Sequence, residues 1–305
     1  MYRSTDELQS KSGMHLKKIT TLAEAEIAAA ALDDIVSSLA IPPQPIVVQQ
    51  MQTEMGKPDP DVRKAAQIVS QDIGLTVAVL KAVNSPLFGL SRKVESVDAA
   101  VNLIGLRALS NLVTAVSLRT ALPGEADALA NFFDTSGKRA FAMARLAREL
   151  PGIDAPHAQT FGLFCDVAIP LLLRRFSHYR ETLQHAETDT TQSFTEIEHR
   201  AHHTDHALIG ALVAKTWGLP QNVCLAIRLH HDYKIFLDAK VPREICTLVA
   251  LGLVAEAAIK RYAGEHRSAE WAKGGDFVAG ALVLSPDEIE EWVAQLHADF
   301  AAGIE

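Results

Sequence analysis

Apolar residues recur at helical spacing along almost the whole chain, and this pattern constrains the fold more than any other feature of the sequence. No segment alternates between apolar and polar residues as a half-buried strand would. The prolines of Ile41-Pro-Pro-Gln-Pro45 exclude helical dihedrals and separate a first helical segment from the rest. The sequence therefore predicts an all-α protein, a multi-helix bundle with helical extensions at its N-terminal and C-terminal ends.

The helical segments are predicted from periodicity and from capping residues. They are 21–38, 62–69, 75–83, 97–104, 134–150, one opened by Pro156 that Pro170 ends or kinks, 194–217, 220–231, 242–262 and a last helix after Ser285. In that last helix Ser285 precedes Pro286, and Glu288 follows at the position of a capping box. The polar segments 184–193 and 264–276 are predicted as loops, and 84–93 as either a recognition loop or a structural turn.

The charge balance argues against nucleic-acid binding. The 305 residues include 29 Lys plus Arg against 37 Asp plus Glu, a formal charge of -8 that opposes contact with phosphates. Residues 96–118 superficially resemble a helix-turn-helix, but their second helix is apolar, with Arg107 and Arg119 as its basic residues. A regulator that touches DNA is therefore the weakest of the functional alternatives.

The cysteines and the hydropathy pattern indicate a cytoplasmic protein. Cys165, Cys224 and Cys246 are far apart, form no CxxC pair and follow no secretory leader, which fits reduced thiols. The longest apolar stretch, 248–259, is interrupted by Glu256 and is too short to cross a bilayer. We therefore expect no membrane anchor.

Histidine is the most informative residue type, because the histidines are unevenly distributed. They include His199, His202, His203 and His206 in one predicted helix and His230 and His231 at the end of the next. Two pairs in the first group are spaced i, i+4, as metal-binding imidazoles can be, but a polar helix face explains the first three better. His206 immediately precedes an apolar run and is expected to point inward, as are His230 and His231.

Several motifs occur in a fixed order along the chain: Ile41-Pro-Pro-Gln-Pro45, 68–72, 82–89, 96–107, 162–168, Glu198, 206–210, 217–220 and His230-His231. In order and spacing they resemble the HD-related output domain, HDOD, of the HD phosphohydrolase superfamily. The resemblance covers roughly residues 41 to 232. It implies an HD-like helical fold and a role in bacterial signal transduction.

The same resemblance implies which metal ligands are missing. An active HD site holds its metal with an isolated His, a His-Asp pair and a later Asp, and with more histidines when a second metal binds. Here Thr135 stands at the isolated His and Cys165 at the His of the pair. Ile169-Pro170 replaces a Lys that often follows the pair. The chain therefore resembles a hydrolase with an incomplete ligand set.

Four candidate ligands of this vestigial metal site remain, and they are Asp166, His206, His230 and His231. Cys165 could add a thiolate if all five side chains converge. The alternative is that Cys165 is a small buried apolar residue and that the other four hold helices together through hydrogen bonds. The structural interpretation is favoured, so no catalytic residue is assigned and no cofactor is expected, although this set could hold a divalent metal.

The sequence thus predicts a non-catalytic signal-transduction protein that acts through protein–protein or small-ligand binding. The alternative is a metal-dependent phosphohydrolase for nucleotides or cyclic dinucleotides. The expected partners are signalling proteins or a small nucleotide, with self-association as a further expectation. The predicted divisions are 1–38, an N-terminal tail and helix; 39–235, the HDOD domain; and 236–305, a C-terminal helical extension packed on the bundle.

Overall fold

The structure, a computed structural model, describes residues 19–30, 37–84, 92–122, 124, 126–265 and 268–303. These residues form α-helices and one short 3₁₀ helix, and they include no strand. The predicted all-α fold is confirmed. Residues 1–18 and 31–36, most of the predicted N-terminal segment, and 85–91, most of the predicted loop 84–93, lie outside the described residues.

The helices of the described residues follow one another along the chain. In the first half of the chain they are α1 (Ile19–Ala30), α2 (Ile46–Met55), α3 (Val62–Ser70), α4 (Ile73–Val83), α5 (Val97–Ile104), α6 (Leu106–Ala121) and α7 (Ala126–Ala147). In the second half they are α8 (Ala155–Phe164), α9 (Ile169–Arg175), α10 (Tyr179–Thr188), α11 (Phe194–His202), α12 (His206–Thr216), α13 (Gln221–Leu229), the 3₁₀ helix Tyr233–Leu237, α14 (Arg243–Tyr262), α15 (Ala269–Leu282) and α16 (Pro286–Ala301).

Side-chain caps fix many of the helix starts. The capping residues, whose oxygens accept from backbone N–H groups of the first turn, are Asp61, Asp72, Ser96, Asp205, Ser268 and Ser285. The capping box of Ser285 and Glu288 is present as predicted. Each such cap contributes about 1 kcal/mol, because it satisfies a donor that the helix itself leaves unpaired.

The predicted helix 194–217 is wrong, because the chain breaks it between His202 and His206. His203 ends α11 in the left-handed conformation with φ 57°. Asp205 then caps α12 by accepting from the backbone N–H of Leu208 at 2.8 Å. His202 and His206 therefore belong to different helices, and the i, i+4 relation predicted for them does not exist.

Other boundaries also differ from the prediction. Helix α10 continues into the predicted loop 184–193, and α15 occupies much of the predicted loop 264–276 after its cap at Ser268. Pro170 lies in the first turn of α9, where the backbone N–H groups have no partner within the helix. The missing N–H of proline therefore costs nothing there, and Pro170 lies at the start of a helix instead of ending one. Thr21 lies inside α1, which already includes Ile19.

One apolar core extends from Ala23 in α1 to Phe300 in α16. Helix α14 lies at its centre and packs against α7, α13, α15 and α16. Helices α7 and α8 approach so closely that a Cβ on Gly162 would lie 2.9 Å from the backbone of Ala140. This packing brings the start of α12 and the ends of α8 and α13 together.

No single helix within the described residues combines the length and apolar character needed to span a membrane. Helices α3 and α4 reach that length and composition only as a pair, and they meet at a bend of 118°.

Candidate metal centre and its pocket

The four predicted ligands all lie at helix ends. Asp166 follows α8, and His206 is the first residue of α12. His230 ends α13, and His231 follows it. Since α12 packs on α13 and α13 packs on α8, these ends meet in the interior.

The three imidazoles converge through their Nε2 atoms. Nε2 of His206 lies 3.2 Å from Nε2 of His230 and 3.1 Å from Nε2 of His231. Oδ1 of Asp166 lies 3.6 Å from the Nε2 atoms of both His206 and His230. The structure therefore brings all four predicted residues into one cluster.

The Nδ1 atom of each imidazole is held by an acceptor on the other side of the ring. The acceptors are Glu198 Oε2 for His206, the Ile227 carbonyl oxygen for His230 and Glu270 Oε2 for His231, each at 2.6 Å. In a neutral ring such contacts keep the proton on Nδ1 and leave the Nε2 lone pair available to a metal ion.

The donor set fits a metal ion. Two nitrogens bound at 2.0–2.1 Å to a tetrahedral ion lie about 3.4 Å apart, close to the two separations seen among these imidazoles. Metal-binding histidines commonly donate their second ring N–H to a carboxylate or a carbonyl, as all three do here. His206, His230 and His231 are therefore the residues that would hold an ion, and Oδ1 of Asp166 lies beside two of them.

The surrounding charges separate the pKa values of the imidazoles. Burial opposes protonation of His206, but the Glu198 carboxylate outweighs it and raises the pKa of His206 to about 9. Burial and the neighbouring His230 lower the pKa of His231 to about 4. Without a metal ion, His206 is thus protonated at neutral pH beside a neutral His231, and an ion would displace the proton on Nε2 of His206.

Further side chains fix the two carboxylates and the rings. Tyr179 donates a short hydrogen bond to Glu198, and Tyr233 donates one to Glu270. The Phe194 ring stacks on His231 with centroids 4.8 Å apart and meets His206 edge-on at 5.0 Å. The imidazoles are therefore held in place before any ligand binds.

A buried arginine occupies the other side of Asp166. Nη1 of Arg139, on α7, lies 2.5 Å from Asp166 Oδ2 and 2.8 Å from Cys165 Sγ. Against the effect of burial, this guanidinium holds the pKa of Asp166 well below its usual range. Burial raises the pKa of the Cys165 thiol to about 12, so in the absence of a metal Cys165 faces Arg139 as a thiol.

The cluster opens into a cavity of about 1010 Å³. Phe132, Phe161 and Phe176 contribute aromatic surface to its walls, and Thr135 also lines it. The exposed Arg174 and Arg180 lie along the same cavity. Buried donors, aromatic walls and exposed cations are the usual components of a small-ligand site.

The remaining histidines of the predicted helix lie elsewhere. His199 and His203 are exposed, and His202 packs on Phe176 with ring centroids 4.7 Å apart. Two residues of the site were missed from the sequence, Arg139 and Glu270. Ser268 two residues before Glu270 is a helix-capping signal, whereas no local pattern marks Arg139.

The chain matches the family model described as the HDOD domain over residues 41–233. A curated relative, an uncharacterized protein of Treponema pallidum (strain Nichols), is 25% identical over 227 residues, which are 74% of this chain and 43% of that protein. The chain thus spans less than half of that relative.

Solved structures share the fold. An HDOD domain protein with unknown function from Geobacter sulfurreducens has a TM-score of 0.67 at 20% identity, over 92% of this chain and 96% of that one. A protein provisionally described as a signal transduction protein from Marinobacter aquaeolei VT8 has a TM-score of 0.68 at 20% identity, over 92% of this chain and 64% of that one.

A protein provisionally described as a metal-dependent phosphohydrolase from Shewanella amazonensis SB2B has a TM-score of 0.61 at 19% identity, over 93% of this chain and 99% of that one. Identities this low carry information about the fold alone. The family assignment instead comes from the match over residues 41–233, more than half of the sequence. The chain belongs to the HDOD family.

Proposed function

We propose that this chain is a non-catalytic signal-transduction protein whose pocket binds a small ligand above a single metal ion. The observation that carries the proposal is the contact of Arg139 with both Asp166 and Cys165, which stand at the positions of the family's His-Asp pair. A fixed cation stands where the resemblance implies a metal-bound imidazole. The remaining side chains provide fewer metal ligands than the site of an active hydrolase of this superfamily.

The geometry of that smaller site favours binding over turnover. His206, His230 and His231 would supply three nitrogens to one ion, and we propose Oδ1 of Asp166, which lies beside two of them, as the fourth donor. When bound, the ion would act as a Lewis acid and lower the pKa of any water that it coordinates. Four protein donors complete a tetrahedral shell, as in structural zinc sites, whereas catalytic sites keep one position open.

The cavity supports a small anionic ligand with an aromatic part. Its volume of about 1010 Å³ and its phenylalanine walls suit a ring system, and Arg174 and Arg180 suit phosphate or carboxylate groups. A nucleotide combines both features. Ligand binding would then alter the helices that a partner signalling protein contacts.

The second candidate function is a metal-dependent phosphohydrolase for nucleotides or cyclic dinucleotides. The convergence of three imidazoles on one point beside a large cavity favours it. An ion that accepts five or six ligands would keep positions for water and substrate even with four protein donors.

Elemental analysis of the purified protein, paired with hydrolysis assays, separates the two functions. The assays would use nucleotides and cyclic dinucleotides with Zn²⁺ or Mn²⁺, with Asp166→Asn as the test variant and the exposed Glu196→Gln as its control. We expect bound metal, and thermal stabilisation by one of the nucleotides without turnover. Turnover that Asp166→Asn abolishes would overturn the proposal in favour of the hydrolase, and a protein that cannot be loaded with metal would remove the metal site.

A further inference from the structure

The two oxygens of the Asp166 carboxylate face different surroundings. Oδ1 lies 3.6 Å from the Nε2 atoms of His206 and His230. Oδ2 lies 2.5 Å from Nη1 of Arg139. The carboxylate thus bridges the imidazole cluster and a guanidinium.

The Arg139 side chain is held firmly in this position. The residue is 9% exposed, and the same Nη1 atom lies 2.8 Å from Cys165 Sγ. Its backbone is fixed as well, because the carbonyl carbon of Arg139 would lie 2.9 Å from a Cβ on Gly162. A guanidinium cannot lose its proton in a protein, so its charge is permanent.

A pair of metal ions would need the place that Arg139 occupies. In two-metal hydrolytic sites the ions lie about 3.5–4 Å apart on either side of shared ligands. With Oδ1 of Asp166 as the proposed fourth donor of the first ion, a second ion would need Oδ2, which already accepts from Arg139. A second divalent ion would also meet a permanent positive charge at close range.

We infer that Arg139 is a built-in cation that takes the place of a second metal ion and limits the site to one. The inference rests on the single metal site of the proposed function and names the residue that determines how many ions it holds. Glu256 lines the same cavity. Without the guanidinium, Oδ2 of Asp166 would be a free hard ligand suited to Mn²⁺.

Manganese binding tests the inference, because a lone Mn²⁺ and a magnetically coupled pair have different electron paramagnetic resonance spectra. The full-length protein would be loaded with excess Mn²⁺, desalted and analysed for metal content. Arg139→Gln removes the charge and keeps a hydrogen-bonding side chain, whereas Arg139→Lys keeps the charge. We expect one uncoupled Mn²⁺ per chain in the wild type and in Arg139→Lys, and a two-fold higher content with coupling in Arg139→Gln.

The outcomes separate this inference from the proposed metal site. A wild type that binds no Mn²⁺ would overturn the metal site itself. A wild type with a coupled pair, or a folded Arg139→Gln protein that stays at one ion, would overturn the role of Arg139 and leave the site standing. If Arg139→Gln does not fold, the wild-type spectrum at saturating Mn²⁺ decides, because one uncoupled ion supports the inference and a coupled pair refutes it.

Discussion

Nδ1 of His206 lies 2.6 Å from Oε2 of Glu198, and the two side chains are 1% and 0% exposed. The same carboxylate oxygen accepts from the backbone N–H of His206 at 3.2 Å. Glu198 therefore fixes both the ring and the first residue of α12. It connects α11 to the cluster across the break in the chain at His203.

We expect Glu198→Gln to weaken metal binding by about 10–100-fold, because an uncharged partner orients the imidazole less firmly and makes its Nε2 a weaker donor. Competition with a chelating dye would measure the affinity for Zn²⁺. Glu196→Gln changes an exposed residue of the same helix and serves as the control. Equal affinities in the two variants would show that Glu198 does not position the ligand.

A second prediction concerns the contact between α7 and α8. Gly162→Ala would place a Cβ 2.9 Å from the backbone of Ala140, where only movement of a helix can relieve the clash. We expect a loss of about 1–3 kcal/mol in the free energy of unfolding, measured with denaturant. Gly137→Ala is the matched control. It also replaces a glycine inside a helix, α7, but the added Cβ would meet nothing within 4 Å.

That control should gain about 0.5–1 kcal/mol, since alanine loses less backbone entropy in a helix than glycine. We therefore expect the two substitutions, on facing helices, to change the free energy of unfolding in opposite directions. A Gly162→Ala protein as stable as the wild type would mean that α7 and α8 can separate without cost.

The sequence was sufficient to predict the fold class and the four clustered residues because the signals were local or arranged in a recurring order. Helical periodicity and the Ser285 cap are local signals. The motif at 41–45 and the motif at 217–220 meet in the fold, where Nε1 of Trp217 donates to the Pro42 carbonyl at 2.9 Å. Their agreement in order and spacing carried the family resemblance.

The parts of the site that sequence reasoning missed depend on long-range packing. Arg139 lies 26 residues before Cys165 and reads as one polar residue of an amphipathic helix. Glu270 lies in the segment 264–276, which was predicted as a loop because it is polar. Helix α15 nevertheless begins there after its cap at Ser268. The break at His203 was missed because the i, i+4 spacing of the histidines suggested one continuous helix.

A third prediction concerns pH and Glu256. Burial and the nearby Glu270 raise the pKa of Glu256 to about 7, against an ordinary value of 4.5. The folded protein therefore binds this proton more tightly than the unfolded chain does. The resulting stability is fully present below pH 4.5, declines as the pH rises, and is lost above pH 7.

Glu256→Gln should remove that decline, which amounts to about 3 kcal/mol from the size of the shift. Denaturant unfolding at several pH values from 4 to 8 would measure the difference from the wild type. Glu149→Gln, at an exposed position, should leave the wild-type profile unchanged. Parallel profiles for wild type and Glu256→Gln would show that Glu256 is ionised normally.

The last prediction concerns the energetic coupling of Arg139 and Asp166 in protein stripped of metal. Asp166→Asn leaves a buried guanidinium without its counter-charge and should cost about 3–5 kcal/mol of unfolding free energy. Arg139→Met leaves a partly buried carboxylate, 19% exposed, and should cost somewhat less. The double variant should cost clearly less than the sum, because neither charge is then stranded. The exposed pair Arg261 and Glu290, 39% and 64% exposed, is the control and should show a coupling of less than about 1 kcal/mol. Additive losses at Arg139 and Asp166 would mean that the two charges are screened from each other, and the guanidinium could not then act as the fixed cation of the site.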